Sequence, residues 1–354
     1  MLKILFVSTS VGSLGSGQGG GVELTVQNLA QALSDKGHCI DVVAPEGSWL
    51  KDVRVIGIAG NLQIPVQTQS RDVPICLPDD AVLANMWSYA QTVQHEYDLL
   101  VNFAFDWLPF YLTPFFDTTI AHFISMGSMT IASDRIMEQI IDRYPGTFGL
   151  YTKSQADTFS FGDRCEILSS AIDLALYDFN NSPEDCLAWL GRIAPEKALE
   201  DAVAAVNTTG IPLKIFGKIQ EQAYWDEICR DFPDALIEYR GFLTTKELQQ
   251  ELGKCRALLM TPRWIEAFGN VAIEALACGV PIIAYNRGGP SEIVQQGKTG
   301  FLVEPDSITG LVEAIKQIKQ IDRFACRQQA EDEYSLSALG DRFEQWFKKL
   351  TTNK

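Results

Sequence analysis

A chain of 354 residues is longer than one ordinary hydrophobic core needs and fits two domains. Apolar residues make up 46% of it and charged residues 21%, which excludes a disordered or fibrous chain. Its net charge of −16 repels phosphate backbones and anionic lipid, so neither a nucleic-acid partner nor stable membrane association is expected.

The opening MLKILFVSTS is a short apolar run followed by glycines, which reads as a first strand rather than a signal peptide. No run reaches bilayer-spanning length. The eight cysteines form no Cys-x-x-Cys motif and read as reduced thiols, so a cytoplasmic location is expected. There is no Asp-x-Asp motif and no His/Cys/carboxylate cluster at ligand spacing, so no metal or other cofactor is expected.

Strands are predicted at residues 2–8, 39–44, 53–58, 99–103, 119–124, 147–151 and 164–168, with helical stretches between them, beginning with 22–36. A polar, irregular stretch at 171–186 reads as a linker between a first domain, 1–170, and a second, 187–335. The second domain repeats the pattern, with strands at 187–190, 213–216, 236–239, 257–260, 281–285 and 301–303. In LTTKEL, Thr244 and Glu247 form a capping box. The last segment, 336–354, is a helix with Leu339, Phe343, Trp346 and Phe347 on one side, expected to pack back toward the first domain. The fold class is α/β, with two doubly wound Rossmann-like domains facing a cleft.

Six glycines lie between Gly12 and Gly21 and lead into a helix. Gly15, Gly17 and Gly20 satisfy G-x-G-x-x-G, but they start well past the strand, so a nicotinamide site is disfavoured. A phosphate against the backbone at the helix start is the better reading, with a plain surface loop as the alternative.

In G-R-I-A-P-E-K, Pro195 suits the first helical position, which puts Lys197 in the first turn, where the helix dipole disfavours a cation. An anion held by Arg192 and Lys197 removes that conflict; a solvated lysine paired with Glu196 or Asp201 is the plainer alternative. In T-P-R-W-I-E-A-F-G-N-V-A-I-E-A-L-A-C-G-V-P, Glu266 lies in a loop, Asn270 reads as an N-cap and Glu274 falls in the first turn of an apolar helix. A carboxylate there needs a partner, and sugar hydroxyls suit it. Backbone N–H groups at Phe268, Gly269 and Asn270 suit an anion.

Gly-Arg…Glu-Lys, Glu-x7-Glu and A-x-G-x-P-I-I-A-Y-x-x-G-G-x-x-E, in this order, resemble the retaining family 4 glycosyltransferases of the GT-B fold, most strongly over residues 187–304. The resemblance implies a donor diphosphate on Arg192 and Lys197, donor-sugar hydroxyls on Glu266 and a ribose on Glu274. It makes Arg192, Lys197 and Glu266 the candidate catalytic set. It also implies that Gly19, Gly20 and Gly21 lie against the phosphates and that His122 borders the sugar; as a lone histidine, His122 is as readily a satisfied core residue. Ala198 departs from the pattern, standing where the family usually has Gly; this can alter the turn after Lys197 but is not expected to remove the site. VGSLGSGQGGGVELT, NFAFDWLPFYLTPFF and HFISMGS are further similar to the UDP-glucose:tetrahydrobiopterin glucosyltransferases of that family. That similarity implies UDP-glucose as donor and a reduced pterin as acceptor.

Asp106, among Phe105, Trp107 and neighbouring aromatics, has the chemistry to bind such an acceptor, the rings by stacking and the carboxylate by accepting N–H bonds, with Ser125 nearby. A simple helix cap at Asp106 with core aromatics has equal weight. A lipid or cell-surface glycan acceptor, or a non-catalytic nucleotide-sugar sensor, are the rival functions. Oligomeric state is not legible.

Overall fold

The computed structural model describes residues 1–16, 21–64 and 71–352. Gly19 and Gly20 lie outside these residues. The chain divides into two compact units, one of residues 1–170 with 336–354 and one of residues 171–335.

The first unit is built on a seven-stranded sheet of β1 (Lys3–Val7), β2 (Cys39–Pro45), β3 (Arg54–Ile58), β4 (Leu99–Asn102), β5 (Ile120–Ile124), β6 (Phe148–Leu150) and β7 (Glu166–Ile167). Its order is β3-β2-β1-β4-β5-β6-β7 and every ladder is parallel. Ile4–Val7 and Leu99–Asn102 are fully buried, which is why these strands are near-continuous apolar runs: helices cover both faces of a parallel sheet. The C-terminal helix Leu336–Thr352 belongs to this unit. Its Phe343 ring packs 5.2 Å from Phe123, and Trp346 Nε1–H donates to the Gly146 carbonyl at 2.7 Å.

The second unit carries β8 (Leu187–Leu190), β9 (Leu213–Phe216), β10 (Ile237–Gly241), β11 (Leu258–Met260), β12 (Ile282–Tyr285) and β13 (Gly300–Val303). These form a six-stranded parallel sheet of order β10-β9-β8-β11-β12-β13. The Thr245–Gly253 helix has the Thr244–Glu247 capping box. The stretch 171–186, expected as a linker, is counted in this unit. Tyr177 is buried there, and the Asn180 N–H donates to the Cys278 carbonyl at 3.1 Å.

Both sheets are wound outward in both directions from a central strand pair. In the first, β1 and β4 are neighbours although two strands intervene in the chain; in the second, β8 and β11 stand in the same relation. At such a switch point the loops leaving the carboxyl ends of the two strands diverge, and the crevice between them is where open α/β sheets bind ligands.

Candidate functional site

The switch point of the second sheet gathers the strongest charges. Arg192 and Lys197 follow β8, and Glu266 follows β11. Lys197 Nζ donates to Glu266 Oε2, and both side chains are more than four-fifths buried. Trp264 Nε1–H donates to the same oxygen at 3.0 Å, and the Lys197 ammonium stands 4.9 Å from the Trp264 ring centroid. Burial opposes ionisation of Glu266, but the Lys197 charge and the Lys197 and Trp264 hydrogen bonds outweigh it and hold the carboxyl below the usual glutamate range. Arg192 adds its field to Glu266 and pairs with Glu196 at 3.0 Å and with Gln220. The plainer alternative, Lys197 paired with Glu196 or Asp201, is not the arrangement present: Lys197 pairs with Glu266, and Asp201 serves Arg263 and Tyr285.

Two local expectations are corrected. Pro195–Lys197 is a 3-10 turn, and the α-helix begins only at Leu199, so Lys197 precedes the helix instead of lying in its first turn. Between them Ala198 adopts φ 47° and ψ 54°, the left-handed conformation glycine favours, so the substitution keeps a glycine-type turn. The Thr261 hydroxyl fixes it, within 2.8 Å of the Ala198 carbonyl. In the Asn270–Ala277 helix the N-cap is Gly269, at φ 99°, and Asn270 is the first helical residue. Glu274 is thus its fifth residue, beyond the first turn. No side chain caps this helix, and Asn270 Oδ1 is buried with no partner among the described residues. Phe268 is buried just before it.

Glu274 makes a separate contact. Tyr177 O–H donates to its Oε1 at 3.0 Å. Burial pushes its carboxyl up to about 7, only partly opposed by that bond. Gly288 and Gly289, after β12, have a packing reason. A Cβ at Gly288 would lie 2.6 Å from the Glu266 nitrogen and one at Gly289 2.2 Å from the Phe268 carbonyl oxygen. The Gly289 N–H also donates to the Glu266 carbonyl at 2.7 Å. The paired glycines let β12 clamp the loop that presents Glu266.

In the first unit, Asp106 follows β4. It caps the Trp107–Leu112 helix by accepting the Leu108 N–H at 3.1 Å. Gln63, in the loop after β3, donates to Asp106 Oδ2 at 2.9 Å and accepts from the Ser10 hydroxyl at 2.7 Å. Burial raises the Asp106 carboxyl against these neutral donors. Trp107 stacks on Tyr111 with centroids 4.6 Å apart; Tyr111 and Phe115 are exposed, whereas Trp107 and Phe105 are partly buried against the core. Ser125 is half-buried just past β5, and Gly21 is the exposed first residue of the Gly21–Asp35 helix.

His122 sits inside β5, fully buried between the Phe110 and Phe148 rings. Its Nδ1 accepts from the Asn102 amide at 3.2 Å, and its Nε2 lies 3.0 Å from the Thr113 hydroxyl, which gives its own proton to the Pro109 carbonyl. Burial drives its pKa down to about 3, so it is a neutral, satisfied core residue.

Residues 179–332 match the family model of glycosyl transferases group 1. That match spans most of the second unit. Mycobacterium tuberculosis glycogen synthase is 30% identical to this chain over 163 residues, a match spanning 43% of this chain and 39% of that enzyme. Sucrose-phosphate synthase from Thermosynechococcus elongatus superposes on the whole chain and on all of its own with a TM-score of 0.80 at 18% identity. Anabaena HepE, solved with UDP and glucose, superposes over 99% of this chain and 100% of its own, with a TM-score of 0.77 at 17% identity. The fold is accordingly GT-B.

The Lys197–Glu266 cluster and Glu274 lie within the matched glycosyltransferase domain; Arg192 does too. Sequence reasoning missed Trp264, Tyr177 and Gln63, whose partners are long-range apart from the Trp264 bond to Glu266; tryptophan two residues before a loop glutamate was the available signal. Among the described residues no group of three or more His, Cys, Asp or Glu side chains gathers as a metal site. No described helix is long and apolar enough to cross a membrane.

Proposed function

We propose that the protein is a retaining glycosyltransferase that moves glucose from UDP-glucose to a small acceptor, a reduced pterin such as tetrahydrobiopterin, in the cytoplasm and without a metal. The observation that carries the donor half is the Lys197–Glu266 contact at the switch point of the second sheet. It puts a cation and a carboxylate within one ligand's reach, one suited to a diphosphate and the other to sugar hydroxyls. HepE in complex with UDP and glucose, on the same fold, supports a UDP-sugar donor.

In this reading Arg192, Lys197 and the N–H groups at Phe268, Gly269 and Asn270 stabilise the charge that develops as the diphosphate leaves. Glu266 orients the sugar and Glu274 the ribose. The acceptor hydroxyl attacks the face the diphosphate vacates, a phosphate oxygen takes its proton, and the configuration at the anomeric carbon is retained. On the first unit, Asp106 with Trp107, Phe105 and Ser125 receives the pterin, ring face on aromatic ring and N–H edge on carboxylate.

The test is transfer from a panel of nucleotide sugars with and without reduced pterins, in the presence of a chelator, with product configuration read by NMR. An α-glucosylated pterin formed only from UDP-glucose is the expected product. Transfer only to a lipid or glycan acceptor would overturn the acceptor half, and binding without turnover would make the protein a sensor.

A further inference from the structure

We infer that Trp264 is a positioning residue of the donor site, whose indole N–H holds the Glu266 carboxylate in place once Lys197 has turned to the diphosphate. The inference rests on the donor reading above. Two demands fall on the same pair of groups. Lys197 and Glu266 are bound to each other, and the Lys197 ammonium also rests over the indole face. A nucleotide sugar needs both groups separately, the ammonium at the diphosphate and the carboxylate at the hexose. Binding must therefore open the pair.

Opening it leaves a carboxylate whose side chain is only 19% exposed without its direct counter-charge. Such a group either takes a proton or turns toward water. Trp264 Nε1 is the second donor already on Glu266 Oε2, at 3.0 Å, and nothing about the departure of Lys197 removes it. A hydrogen bond to a charged acceptor is among the stronger single contacts a neutral side chain makes. The indole is presented by a loop pinned on both sides. The Arg263 N–H donates to the Glu196 carbonyl at 2.9 Å, and the Arg263 side chain reaches Asp201 at 3.0 Å. On the other side, the Gly289 N–H holds the Glu266 carbonyl at 2.7 Å. The loop that carries Trp264 is thus held in place, and the indole N–H keeps Glu266 aimed while the ring face is uncovered.

Two consequences separate this role from a structural one. The contact matters to the sugar half of the donor and not to the nucleotide half. The indole also changes environment whenever Lys197 leaves it, including when the ligand carries no sugar.

The experiment compares the intact wild-type protein with Trp264→Phe, which keeps an aromatic face and loses the N–H. Calorimetry measures Kd for UDP and for UDP-glucose, and intrinsic fluorescence is followed during the UDP titration. The expected result is a UDP Kd within about twofold of wild type and a UDP-glucose Kd raised about tenfold. UDP should also change the wild-type emission, and that change should be absent in Trp264→Phe. Equal weakening of both ligands would make Trp264 a loop-shaping residue and overturn the inference, as would an unchanged UDP-glucose Kd. If the wild type binds neither ligand, the donor reading fails first and the inference falls with it.

Discussion

Asp106 and Glu266 stand at matching places in two sheets, each in the loop beyond the strand that flanks a switch point, β4 in one and β11 in the other. Their electrostatic settings are opposite. Asp106 meets neutral donors, the Leu108 N–H and the Gln63 amide, and burial raises its carboxyl. Glu266 is also buried, yet Lys197 and Trp264 hold its carboxyl low. Topology delivers a carboxylate to the mouth of a sheet; its neighbours decide whether it is a charged grip or a hydrogen-bonding edge. Under the proposed function, the charged grip takes the nucleotide sugar and the hydrogen-bonding edge takes the acceptor.

The largest effect that sharpens this contrast is expected from Lys197→Ala. Removing the cation should cut kcat by about a hundredfold or more, with acceptor KM little changed in steady-state transfer assays. A wild-type kcat would remove the leaving-group role.

Glu274→Gln comes next, through pH. With its carboxyl held up near 7, the wild-type protein should bind UDP more tightly as pH rises from 6 to 8 and the carboxylate forms. The variant should bind about tenfold more weakly at pH 8 and lose that pH dependence in calorimetry. Stability gives the sign independently. The folded state keeps a proton that the unfolded chain releases near the ordinary value of 4.5, so the Glu274 contribution falls as pH rises from there to about 7. Glu274→Gln should lack that fall in urea denaturation run across this pH range.

Asp106→Asn keeps a good helix cap and removes the second carboxylate oxygen. Acceptor KM should rise about fivefold while the UDP-glucose Kd stays at the wild-type value. An unchanged KM would leave Asp106 as a cap alone.

The smallest effect belongs to Ala198→Gly. The left-handed conformation at φ 47° costs an alanine about 1–2 kcal/mol, partly offset by the extra freedom glycine has when unfolded. The variant should gain about 0.5 kcal/mol in urea denaturation and keep its kcat.

The fold was legible because parallel strands buried on both faces are apolar throughout, and the breaks between them are polar or glycine-rich. Among the described residues, β1, β4, β5, β8 and β12 lie where such runs stand, whereas the edge strands β7 and β10 carry charged and exposed residues. Lys197 stood out as a cation at an expected helix start, Glu274 as a carboxylate in an apolar helix, and Glu266 by its place in the Glu-x7-Glu pattern. What the pattern cannot carry is who meets whom. Tyr177 reaches Glu274 across 97 residues and Gln63 reaches Asp106 across 43, and neither glutamine nor tyrosine signals a partner by its own spacing. His122, read as either a sugar-bordering group or a core residue, shows the converse. In A-H-F-I it looks like a polar group placed for use, but Asn102 and Thr113 satisfy it inside the core. The turn at Ala198 was hidden because local context forces a backbone conformation that alanine does not advertise.

A crystal structure with UDP-glucose bound tests the central claim most directly. The account predicts that the Lys197–Glu266 pair is open, with Lys197 and Arg192 on the diphosphate and Glu266 on the hexose hydroxyls. Nucleotide bound elsewhere, with that pair still closed, would contradict it.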